Sequence, residues 1–144
     1  MIFSKQQLFS DDQAVTATAI STNVIDLGAP GTPYGAAAAL NQDIGKGTPI
    51  PILVQVTTAF ATLTSLTITV EVSAAAGLTS PVVLATQTIT AANLIAGKQM
   101  SVQVVPTDAS LRYMGIRYTV NGSNATAGNI TAGITMGNQT NVTG

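Results

Sequence analysis

Histidine, cysteine and tryptophan are absent from this chain of 144 residues, and five basic and six acidic side chains carry all of its formal charge. Without imidazole or thiol groups it lacks the commonest general bases, thiol nucleophiles and soft metal ligands. The expectation is a protein that is not an enzyme and holds no cofactor, metal or small-molecule substrate. The missing cysteines exclude disulfides and leave the compartment open. A chain of about 150 residues buries roughly 70% of its unfolded surface, so its core needs no covalent staple. No apolar run approaches the ~20 residues of a membrane span. The first residues, Met1 to Gln7, lead straight to Asp11 and Asp12 and contain no apolar block of signal-peptide length. This predicts a protein that keeps to the cytoplasm, away from membranes, until it is assembled. Charge is scarce as well, at 8% of residues against about 25% in ordinary soluble domains. The basic residues Lys5, Lys46, Lys98, Arg112 and Arg117 are scattered singly. They make no stripe for a phosphate backbone, so no nucleic-acid partner is expected. A surface so poor in ions has little repulsion to keep copies apart and suits contact with other protein.

What the chain does have is threonine, 22 of them, set in alternation with apolar residues. In Leu66 to Val72 the apolar Leu66, Ile68, Val70 and Val72 fall on one face, and Thr67, Thr69 and Glu71 on the other. Ile52 to Thr57, Met114 to Val120 and Ile130 to Met136 repeat the period. Weaker strands read at Val15 to Ser21, Asn23 to Leu27, Val82 to Ile89 and Met100 to Val105. About eight half-buried strands in one domain over 1–144 predict an all-β fold, a jelly-roll-like antiparallel β-sandwich. At most one short helix fits, at Thr90 to Gly97, with Thr90 as N-cap and Gly97 in the left-handed conformation at its end. Residues 28–51 are crowded with proline and glycine and predict a long irregular loop, with a helical turn in its alanine run, Ala36 to Leu40. Residues 137–144 have no apolar face and read as a flexible tail.

Each motif that suggests chemistry has a plainer explanation. Gly45-Lys46-Gly47-Thr48 resembles a phosphate loop, but Gly47 stands where Ser or Thr must follow the lysine, and Leu40 where a glycine is required. Asp11-Asp12 lacks a third oxygen donor at calcium spacing and reads as a solvated turn or a helix start. Five Asn-x-Ser/Thr triplets, at Asn121, Asn124, Asn129, Asn138 and Asn141, are what abundant threonine produces by chance. Arg112, Tyr113, Arg117 and Tyr118 could form a binding patch, since arginine and tyrosine are favoured at interfaces. The alternative is a strand whose Tyr118 is core and whose Arg117 snorkels from the outer face.

Leu94-Ile95-Ala96-Gly97-Lys98, Val105-Pro106, Leu111-Arg112-Tyr113-Met114, Tyr118-Thr119-Val120-Asn121-Gly122 and Thr126 to Ile134 follow one another in an order that resembles the capsid cement, or decoration, proteins of tailed bacteriophages. The likeness is to the family typified by the Bordetella phage cement protein. Gln7 to Ala14 and Ser21 to Gly28 extend it over nearly the whole chain. It implies a virion protein on the outer surface of an icosahedral head, bound to the major capsid protein and clamping neighbouring subunits as a homodimer. A tail, fibre or head-fibre module of a phage is the alternative. A carbohydrate-binding or adhesin sandwich fits less well, because sugar sites want stacking aromatics.

Two segments lack the alternation of core strands yet carry large apolar residues: the N-terminal arm, 1–12, with Ile2, Phe3, Leu8 and Phe9, and the 28–51 loop with Tyr34. Together with Arg112, Tyr113 and Arg117 these are the candidate capsid and oligomer contacts. The competing reading has Phe3 and Phe9 plugging one end of the sandwich.

Overall fold

The computed structural model describes residues 3–39, 49–104 and 110–136, and within them the alternating segments form an antiparallel seven-stranded sheet. In chain order the strands are β1 (Leu8–Ala14), β2 (Ala19–Ile20), β3 (Ile25–Asp26), β4 (Ile50–Ser73), β5 (Val82–Thr90), β6 (Gln99–Val104) and β7 (Tyr113–Ile134). Two 3-10 turns, Lys5–Gln7 and Ala91–Asn93, complete the described elements.

Strands β4 and β7 hold 24 and 22 residues. Kept straight, strands of that length would run roughly 70 to 80 Å at about 3.3 Å per residue, while a compact chain of this size has a radius of gyration of only ~15 Å. Both therefore bend. In β4 the register against β7 slips repeatedly between Val56 and Ser65, and Thr62 sits at φ 73°. Opposite it, Gly122 and Gly128 of β7 have φ of 86° and 143°, a conformation that side chains bearing a Cβ rarely adopt. Gly128 also lies directly against the Phe60 ring, where a Cβ would collide.

Bending lets each long strand serve two half-sheets. In the first, Ile50 to Gln55 of β4 pairs with β6 on one side, and the start of β4 pairs with the end of β7 on the other. Strand β1 closes that half-sheet against β7, from Leu8 opposite Gly133 to Ala14 opposite Asn129. In the second, Ser65 to Val72 pairs with β5 and with the start of β7, whose far side takes the two-residue strands β2 and β3. The inner faces of both halves, Ile52, Val54 and Val56 with Leu66, Ile68, Val70 and Val72, meet in one buried cluster. Each such side chain contributes about 1.5 to 3 kcal/mol on burial. Across this core the buried Tyr118 hydroxyl lies 2.8 Å from Ser10 Oγ, which itself donates to Gln13 Oε1 at 2.7 Å, so the phenol is the donor. Burial raises the Tyr118 pKa, against the opposing effect of the Ser10 bond, and keeps this donor neutral.

The all-β antiparallel sandwich matches the sequence reading, and its details correct that reading. There are seven described strands rather than about eight, because the four strongest segments fuse in pairs into β4 and β7. Val15 to Ser21 and Asn23 to Leu27 shrink to the two-residue β2 and β3. The arm from Leu8 onward is a strand, β1, hidden in the sequence because its two register shifts against β7 spoil strict alternation. The expected short helix is the 3-10 turn Ala91–Asn93, followed by Gly97 at φ 85°. Thr90 does not cap a backbone N–H there; its hydroxyl accepts from the Asn93 side-chain amide at 3.2 Å. In place of the helical turn, Ala36 N–H closes a tight turn on the Pro33 carbonyl. The 137–144 tail, Leu40 and Gly45 to Thr48 lie outside the described residues.

Candidate interaction surface

The described part of the long loop leaves the sandwich at its second half-sheet. Asp26, at the end of β3, receives Arg112 in a two-pronged ion pair, Nε to Oδ1 at 2.8 Å and Nη2 to Oδ2 at 2.7 Å. Gly28 N–H adds a bond to Oδ1 at 2.9 Å, and Leu27 N–H donates to the Arg112 carbonyl at 2.8 Å. Arg112 holds the Asp26 carboxyl well below the usual carboxylate range, to about 2, with help from the Gly28 N–H, and Arg112 is itself raised by Asp26. The guanidinium carbon lies 5.0 Å from the centre of the Tyr113 ring, a cation–π distance. This cluster fixes the direction in which the chain departs. Beyond it every residue in 29–39 is exposed, and the Tyr34 ring is fully so.

Arg117 serves a different purpose. Its Nε lies 3.1 and 3.0 Å from the two Glu71 oxygens, and its Nη2 donates to the Leu78 carbonyl at 2.9 Å. Thr69 Oγ1 donates to the same carboxylate at 2.8 Å. The Glu71 side chain is only 4% exposed and that of Arg117 29%, so the pair pins the 74–81 connection over the outer face of the sheet. Leu78 is buried beneath that connection, directly over Gly115.

The arm residues divide by depth. Phe9 is buried in the core and offers nothing outward. Phe3 and Leu8 are half-buried and close over Gly133, where a Cβ would stand 2.8 Å from Phe3 Cδ1 and 3.1 Å from Leu8 Cδ2. Ile2 lies outside the described residues. Of the residues singled out from sequence, then, the structure brings Arg112 and Tyr113 to the loop base and leaves Tyr34 projecting from the same loop. It sets Arg117 apart in an internal pair, and Phe3, Leu8 and Phe9 at the β1 end of the other half-sheet.

Sequence reasoning missed Asp26 and Glu71 as the partners of the two arginines, and missed the outer edge of β5. That strand carries no charge, and its Val82 and Val83 are each 49% exposed. Between β5 and β6 the sandwich opens in a polar mouth of about 430 Å³, lined by Gln87, Thr88, Asn93, Lys98, Gln99 and Ser101 among others. Gln87 Oε1 is enclosed there without a hydrogen-bond donor. Among the described residues no group of acidic side chains is placed to hold a metal ion, and no helix is long and apolar enough to cross a membrane.

The family model for Bbp16 matches residues 9–134, most of the chain and nearly all of the sandwich. This protein belongs to the Bbp16 family. The family is named after a Bordetella phage protein, which places the chain among phage structural proteins. No curated protein matches the sequence. The matched span takes in β1 from Phe9 onward, the Asp26–Arg112 loop base and both bent strands.

Proposed function

We propose that this Bbp16-family protein is a capsid cement protein, bound to the outer surface of a phage head, where it fastens neighbouring major capsid subunits and associates with itself as a dimer. The observation that carries the reading is the segment 29–39: eleven residues without charge, exposed throughout, fixed in direction at one end by the Asp26–Arg112 pair and carrying an aromatic ring at its middle. An exposed tyrosine on a neutral arm has the chemistry of an interface anchor. Burying such a surface strands no ions and so avoids their desolvation cost. Across a shell of many copies, modest contacts add up through multivalent engagement.

The experiment is to mix the purified protein with empty mature heads and sediment them. Co-sedimentation at a fixed ratio to capsid subunits is expected, and Tyr34→Ala should weaken it by about tenfold or more, as loss of an aromatic anchor does. Binding to tails or fibres alone would contradict the reading.

A further inference from the structure

Edge strands invite pairing with other chains, and proteins guard them with charge, bulges, brevity or cover. Among the described edges, β1 carries Asp11 and Asp12 and two register shifts, β2 and β3 are two residues long, and β6 has six residues. Strand β6 is uncharged and regularly paired too, but β5 is the longer edge. It runs for nine residues, Val-Val-Leu-Ala-Thr-Gln-Thr-Ile-Thr, with no charge and no internal proline. Its pairing to β4 is regular from Ala85 to Thr90, the one shift falling at Leu84. It is the terminal strand of the sheet order, and among the described residues its outer side makes no backbone hydrogen bond to a further strand.

We propose that the outer edge of β5 is a self-pairing site, where β5 of a second copy adds antiparallel about a two-fold axis at Gln87 and joins two sandwiches through one continuous sheet. The inference rests on the reading that the chain self-associates, and it names the surface. The occupant follows from self-complementarity. An antiparallel two-fold pair sets each strand against its own sequence, and a strand without charge meets no like charge when it does so.

The register follows from Gln87. Its Oε1 lacks a donor in the mouth beside this edge, and an enclosed acceptor left unpaired costs free energy. The last torsion of a glutamine side chain is soft, so the amide can turn to the edge. With Gln87 opposite its own copy, two primary amides face each other and each donates to the other's oxygen. Thr86 then stands opposite the partner's Thr88, on the outer face where Thr88 and Thr67 hydroxyls already bond at 2.9 Å. The exposed Val82 and Val83 project past the ladder onto the partner's Ala91 and Ala92.

Sedimentation of the purified protein without heads tests this. The wild type is expected to be a dimer at micromolar concentration. Gln87→Lys sets two ammonium groups face to face with Lys98 lining the same mouth, and should raise the dimer dissociation constant by about tenfold or more at low salt. High salt should restore much of the loss. Val83→Lys, at a surface position that leaves the fold alone, should weaken the dimer too, whereas Gln103→Lys on the β6 edge should not. A dimer indifferent to both β5 variants, or lost only with Gln103→Lys, overturns the β5 assignment and leaves self-association standing. A wild type that stays monomeric overturns the assignment and the self-association together, while the head-binding measurement stands independent of both.

Discussion

At the scale of single residues, the two ion pairs have different consequences. Asp26 is solvent-facing, and its lowered pKa means that the pair contributes above the ordinary carboxyl value, about 3.9, and is lost as pH falls through about 2. Substituting Arg112→Gln should raise the Asp26 titration toward the ordinary carboxylate range, with the Gly28 N–H still holding it somewhat below, as followed by NMR; a midpoint unchanged from the wild type would show that Arg112 is not the cause. Glu71 is nearly sealed from water, so Arg117→Leu strands a buried charge and should cost about 3 kcal/mol in chemical denaturation. The double variant Glu71→Leu with Arg117→Leu should recover a large part of that loss. Both arginines stand out in the sequence because so few charges surround them. Their partners do not, since Asp26 lies 86 positions from Arg112 and Glu71 lies 46 from Arg117, and only the sheet register brings them together.

At the scale of elements, the bends in β4 and β7 decide the architecture. Gly128→Val would force a side chain into the Phe60 ring at a positive φ, and a large fall in thermal midpoint or outright failure to fold is expected. Phe9 in β1 is fully buried, so Phe9→Ala should cost about 3 to 5 kcal/mol, whereas Tyr34→Ala should leave the denaturation curve within about 0.5 kcal/mol of wild type. Equal losses in the two variants would mean that the loop packs on the sandwich. The straight parts of the strands are legible in the sequence, since one face is buried and alternation follows. Their fusion is not, because the register slips between Val56 and Ser65 break the period at the bend itself. Likewise Val82 to Ile89 reads as a strand, but nothing local says that it lies at the edge. That depends on the order of strands in the sheet, and so the candidate surface on β5 could not be seen from sequence, while Tyr34 could.

At the scale of the whole molecule, the scarcity of charge is the property that the proposed role uses. Four of the eleven charged side chains are committed to the two ion pairs among the described residues, and the other seven, spread over 144 residues and of both signs, supply little long-range attraction. Head binding should therefore change little with ionic strength, in contrast to interfaces held by exposed ion pairs. Co-sedimentation repeated across a salt series checks this, and a steep fall in binding with salt would assign the contact to charge. The most direct measurement of the central claim is imaging of the native particle at side-chain resolution. The account predicts this sandwich on the outer skin of the head, spanning neighbouring capsid subunits with Tyr34 seated between them; density for the chain confined to the tail would contradict it.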